Sequence, residues 1–194
     1  MSFIPVSILS FLNEHYKLSE KEISFYTQNK FIKLKQVLNE ETISFFSNHI
    51  KKRVEELSAG KKSLEERDTY GMAFLQVFNL WREDDIIKEL VFSKRLASIA
   101  TDLMQTKGAR LYHDQALYKE PGGGYTPWHA DQYYWPLASD KTVTAWIPLQ
   151  ETPIEMGPLE FSAGSHVIVE GRELAISDAS ETILSKKLKV TDFQ

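Results

Sequence analysis

The spacing of the hydrophobic residues changes once along this 194-residue chain, near Gly108, and that switch narrows the folds open to it. Upstream, apolar residues recur every three or four positions, as on one face of a helix. Downstream they come in short runs separated by Gly, Pro, Ser and Asp clusters, as in strands joined by turns. Helices first and strands afterwards imply an α+β fold, with the early helices packed outside a β-sandwich or barrel. The length suits one domain over 1–194, with a helical part at about 1–107 and a barrel part at about 108–194.

Several element boundaries can be read locally. Ser19-Glu20-Lys21-Glu22 has the spacing of a capping box. It predicts a short helix with Ile23 and Tyr26 or Phe25 turned inward, ending at Asn29. Phe31 to Lys35 alternates like a strand. Asn39 then caps a longer helix to about Ser58, whose stripe Ile43, Phe46, Ile50, Val54 and Leu57 faces the core. Ala59 to Tyr70 is charged and aperiodic, and reads as an exposed loop. Met72 to Leu80 reads as a buried strand, and Asp84 to Gln105 as two helices broken near Phe92-Ser93. Arg110 to Tyr118, Thr126 to Trp135 and Thr142 to Leu149 are the strand-like runs of the second half.

Composition removes whole classes of function. The chain has no cysteine, which rules out disulfides, thiol catalysis and Cys-ligated zinc or iron–sulfur clusters, and fits a reducing interior. A net charge of -4 argues against a nucleic-acid partner. Lys51-Lys52-Arg53, Lys61-Lys62 and Lys186-Lys187 sit beside glutamates or in polar segments and read as solvated faces. No apolar run approaches the ~20 residues of a membrane span. Met-Ser-Phe-Ile-Pro lacks the pattern of a signal peptide, so a cytoplasmic protein without a membrane partner is expected.

The chemistry centres on His129 and Asp131, in the aromatic run Pro127 to Pro136. In an extended segment, residues i and i+2 project from one face. An imidazole nitrogen and a carboxylate oxygen would then converge, giving two of the three donors of the 2-His-1-carboxylate triad that holds Fe(II). The plainer alternative is a histidine filling the core and an aspartate facing water. Upstream, Gly122-Gly123-Gly124 is not followed by Gly-Lys-Ser/Thr and leads toward a strand, so it is a turn and not a phosphate loop.

An ordered set of short motifs then accumulates. Lys119-Glu120-Pro121-Gly122 precedes Trp128-His129-Ala130-Asp131-Gln132; Thr144-Ala145-Trp146-Ile147-Pro148-Leu149 follows, and Gly157-Pro158-Leu159-Glu160-Phe161 leads into Gly164-Ser165-His166. Together they resemble the phytanoyl-CoA dioxygenase family of Fe(II)- and 2-oxoglutarate-dependent oxygenases. The resemblance implies a double-stranded β-helix, a cupin-like jelly roll with the N-terminal helices outside it. It implies Fe(II) as metal, with 2-oxoglutarate and O2 as co-substrates, and hydroxylation of a small organic substrate. His129 and Asp131 would be metal ligands and catalytic; the presence of Asp131 favours hydroxylation over halogenation. Trp146 and Thr144 fall where such enzymes hold the co-substrate, and Gln115 and Lys119 are further candidates for co-substrate or substrate contact. Tyr133, Tyr134 and Trp135 would line an apolar substrate site, with structural packing as the alternative.

The same resemblance exposes a gap. The family's second histidine and the arginine for the distal carboxylate of 2-oxoglutarate lie on later strands. Here His166 matches the turn histidine, and Arg172 comes too early. Lys187 to Gln194 reads as the run-up to the strand that would carry the missing histidine. The C-terminal barrel strands are therefore expected to be missing, with the sequence forming the front part of a longer chain. A natural truncation that binds a metal or small ligand without turnover is the alternative. A cupin-like enzyme would use more histidines, and a serine hydrolase built on Ser162, Ser165 and His166 lacks the Gly-x-Ser-x-Gly elbow.

Overall fold

Capping side chains start most of the helices in the computed structural model, which describes residues 3–60 and 62–188. Ser19 accepts from the N–H of Glu22, and the Glu22 carboxylate accepts from the N–H of Ser19 at 2.7 Å, so α2 (Glu20–Asn29) begins where the capping box puts it. Asn39 accepts from the N–H of Thr42 at 2.9 Å and starts α3 (Glu40–Ser58). Before both lies α1 (Val6–Asn13), for which the sequence offered no cap; its Pro5 N-cap makes no side-chain bond. Asp84 and Ser93 cap α5 (Asp85–Val91) and α6 (Lys94–Met104), the pair broken at Phe92-Ser93.

The core lies among these helices. Ile8, Leu12, Leu38, Phe46 and Leu90 form its buried cluster, and Phe46 is wholly enclosed. Of the expected α3 stripe, Phe46 and Val54 are buried, Ile43 and Ile50 are half-buried, and Leu57 is exposed. On α2, Ile23 and Tyr26 turn partly inward while Phe25 is exposed. Arg95 of α6 is also buried: its Nε donates to Val37 O, and its guanidinium lies 4.1 Å from the Phe11 ring centroid.

Regular strands are shorter than the sequence suggests. Within Met72–Leu80 only β1 (Leu75–Phe78) forms, after a helical turn α4 (Thr69–Ala73), and its end at Phe78 is exposed. It pairs antiparallel with β2 (Gln115–Tyr118), Leu75 opposite Tyr118 and Phe78 opposite Gln115. These two are the strands among the described residues. Phe31–Lys35, Thr126–Trp135 and Thr142–Leu149 are not paired in a sheet. Phe31 is buried all the same, stacked 5.1 Å from the ring of Phe161. Within Ala59–Tyr70, expected as a loop, a 3-10 turn (Leu64–Glu66) forms and α4 begins. A final helix, α7 (Asp178–Leu184), follows the Gly164-Ser165-His166 turn. Most of Lys187 to Gln194, expected to lead into a strand, lies outside the described residues. No described helix is long and apolar enough to cross a membrane.

Candidate metal centre

His129 and Asp131 converge as the i, i+2 spacing predicts. Ala130 between them is extended (φ -109°, ψ 121°), and Asp131 opens a 3-10 turn through Tyr134. His129 Nε2 lies 3.2 Å from Asp131 Oδ1, with the imidazole mostly covered and the carboxylate more than half exposed. The other ring nitrogen, Nδ1, lies 2.7 Å from Pro127 O. A backbone carbonyl can only accept, so Nδ1 carries the proton and Nε2 is the nitrogen turned toward the carboxylate. Two acceptors facing each other at that distance need a positive charge between them, either a second proton or a cation.

Burial is the largest influence on His129 and works against its charged form. The hydrogen bonds to Asp131 and Pro127 O, with the Asp131 charge, outweigh it, so the imidazole titrates above its ordinary range. The pair also fits a cation. Two donors each ~2.1 Å from a six-coordinate metal and at right angles stand about 3 Å apart. An Nδ1–H held by a carbonyl while Nε2 points at the metal site is the usual arrangement around a metal-bound histidine. Among the described residues, no third His, Asp or Glu joins them in a metal-sized cluster.

The remaining candidates make contacts of their own. Gln115 on β2 donates through its side chain to Gln76 of β1. Lys119 donates to Gly124 O at 2.7 Å, closing the glycine loop ahead of His129. That loop is latched further by an ion pair between Arg67 and Glu120. Thr144 and Trp146 are exposed, whereas Ile147 beside them packs on the helical core. Among the described residues, no hydrogen bond or ring contact joins these four candidates to His129 or Asp131. His166 and Arg172 belong to their turn: Arg172 donates to Ile168 O and His166 O, and His166 Nδ1 is buried without a hydrogen-bond partner.

The aromatic residues that follow the pair in sequence pack on one another and on Tyr112 and His113. The Trp135 ring lies 4.8 Å from that of His113 and 5.2 Å from that of Tyr112, and Tyr133 and Tyr134 meet edge-on. His113 shares a face with Gln115, and Phe78 stands 5.8 Å away. The opposite face of that segment is structural: Asp114 accepts from the N–H groups of Leu80 and Trp81, and burial raises its carboxyl above the usual range despite those bonds. Sequence reasoning does not settle which face of this run is inward, because both faces mix polar and apolar residues. It also misses Glu181, which accepts from the N–H of Trp128 at 2.8 Å across 53 residues.

A family model described as Phytanoyl-CoA dioxygenase (PhyH) matches residues 26–186. Over 82 residues the chain is 29% identical to a Stutzerimonas stutzeri protein described as a probable alpha-ketoglutarate-dependent hypophosphite dioxygenase. That match covers 42% of this chain and 28% of the relative, so the chain spans well under half of the relative's length. No solved structure matches the chain.

Proposed function

The chain belongs to the phytanoyl-CoA dioxygenase family, and on that premise we propose that it is a non-haem Fe(II)- and 2-oxoglutarate-dependent dioxygenase hydroxylating a small organic substrate. The observation that carries this reading is the facing pair, His129 Nε2 and Asp131 Oδ1 at 3.2 Å, with Nδ1 committed to Pro127 O. His129 would supply a neutral nitrogen and Asp131 an anionic oxygen, two of the three donors of a facial triad. The metal with 2-oxoglutarate and O2 would supply the oxidising chemistry, in which 2-oxoglutarate loses CO2 to become succinate as the substrate is hydroxylated.

The chain's own residues do the positioning. Pro127 O fixes the imidazole's tautomer and plane, and the exposed side of Asp131 leaves room for exchangeable ligands. Tyr133, Tyr134 and Trp135, just past the donors, are proposed to line an apolar substrate site, with Trp135 packed against Tyr112 and His113. Trp146 and Thr144 are proposed as co-substrate contacts from their place in the family's motif order, with Gln115 and Lys119 as secondary candidates. The fold proposed with this function is the double-stranded β-helix, supported by the antiparallel pairing of β1 with β2 across nearly 40 residues of sequence. A cysteine-free chain working with Fe(II) suits a reducing compartment such as the cytoplasm.

Incubation with Fe(II), ascorbate and 2-oxoglutarate tests the activity, with succinate release as the readout. With the full donor set present, we expect slow succinate formation without added substrate, abolished by His129→Ala or Asp131→Ala in a protein that still melts cooperatively. Fe(II) binding with no succinate would instead mean a relative that binds the metal without turnover.

A further inference from the structure

The segment that carries the two donors is held at both ends by one other stretch of chain. At its start, the N–H of Trp128 donates to Glu181 Oε2 on α7 at 2.8 Å. At its end, the Tyr134 hydroxyl accepts the N–H of Ile176 at 2.8 Å. Residues 176 and 181 are joined by the capped start of α7, where the N–H of Ser180 donates to Ser177 Oγ and the N–H of Ser177 donates to Ser180 Oγ. That stretch is itself seated. Ser180 is fully buried, and Leu184 packs so closely on Gly171 that a Cβ there would lie 2.4 Å from its methyl carbon.

Geometry makes the first contact more than an anchor. Trp128 N–H and Pro127 C=O belong to the same peptide group. Glu181 therefore holds the donor end of the peptide whose acceptor end holds His129 Nδ1–H. A carboxylate on the N–H polarises the amide and strengthens its carbonyl as an acceptor, so the two bonds reinforce each other. At the other end, Tyr134 closes the 3-10 turn that Asp131 opens, and the N–H of Tyr133 donates to Ala130 O within it.

We propose that residues 176–181 form a clasp that presets the spacing of His129 and Asp131, with Glu181 and Tyr134 as its positioning residues. This rests on the metal reading of the pair. Glu181 acts through the peptide beside His129, and Tyr134 through the turn that Asp131 opens.

Co(II), whose visible spectrum reports histidine coordination, is the probe, titrated into the wild-type chain and three variants. Glu181→Ala should weaken Co(II) binding about tenfold, in line with the loss of a group supporting a metal ligand. Glu181→Gln should stay within about threefold of wild type, because its amide oxygen can still accept from Trp128. Tyr134→Phe, which removes only the hydroxyl, should weaken binding by roughly threefold or more and serves if the alanine variant does not fold. Melting temperatures within a few degrees of wild type would separate positioning from general destabilisation. Glu181→Ala or Tyr134→Phe binding Co(II) as tightly as wild type, or Glu181→Gln as weak as alanine, would overturn the clasp alone. A wild-type chain that takes up no Co(II) would overturn the metal reading and the clasp with it.

Discussion

At His129 opposing influences act on one proton, and their order can be tested. Burial disfavours the imidazolium most strongly, and Asp131 with Pro127 O more than compensates. Asp131→Asn removes the carboxylate's charge and weakens its hydrogen bond, leaving burial opposed mainly by Pro127 O. The histidine should then titrate at lower pH than in wild type, read from its ring proton shifts by NMR. An unchanged titration would mean that Asp131 is not the partner. The sign of the linkage follows from the raised value. The protonated pair's contribution to stability is full below the unfolded histidine's pKa, ~6.5, and is lost as pH rises through the higher folded value. Metal binding runs the other way, since Nε2 must be free of its proton, so Fe(II) affinity should rise across that same interval. The pair was legible in the sequence because two residues at i and i+2 on an extended segment need no knowledge of the rest of the fold. Glu181 was not, because nothing periodic in the sequence ties α7 to Trp128.

Among the elements, legibility follows how local each cause is. Ser19 with Glu22, and Asn39, announce α2 and α3 because a cap is a bond to backbone two or three residues away. Asp84 does the same for α5, and also takes His49 Nε2 at 2.9 Å, a partner 35 residues away that no local rule supplies. Strands depend on a distant partner, so alternation at Phe31–Lys35 or Thr142–Leu149 marks a face to be buried and does not specify a ladder. Ile147 accordingly reaches the helical core without belonging to a strand. The glycine loop shows the same contrast within one residue type. At Gly123 an added Cβ would sit 2.9 Å from Glu120 O and 3.0 Å from Met72 O, both backbone atoms that cannot swing aside. Gly123→Ala should destabilise the protein by about 1–3 kcal/mol in denaturant unfolding. At Gly108 nothing lies within 4 Å, and Gly108→Ala should be neutral or stabilising by up to ~1 kcal/mol. Equal effects at the two sites would show that the loop does not pack against Met72 as described.

Across the whole molecule, the question is what binds the strand-poor second half to the helical first half. Besides the β1–β2 ladder, the Asp114 bonds and the Arg67–Glu120 pair, further contacts reach the helical half. Ile147 packs on the cluster around Phe46, Lys141 donates to Met104 O at the end of α6, and Phe31 stacks on Phe161 in the Gly157–Phe161 motif. Phe31 is the most telling of these. It is 8% exposed, meets Phe25 of α2 edge-on at 5.8 Å, and lies nearly parallel to Phe161, which is itself 41% exposed. Unequal burial predicts unequal costs. Phe31→Ala should cost about 3–5 kcal/mol, as for a buried aromatic, and Phe161→Ala clearly less. If the stacking joins the halves energetically, the double variant should be less destabilised than the sum of the singles, by roughly 0.5–1.5 kcal/mol. Chemical denaturation followed by both near-UV and far-UV circular dichroism supplies the cycle and a test of cooperativity. Coincident transitions in wild type with a coupling in that range mean that the helical core steadies the half carrying His129 and Asp131. Strict additivity would mean that the stack is incidental and that residues 108–188 depend on other contacts to hold the metal centre in place.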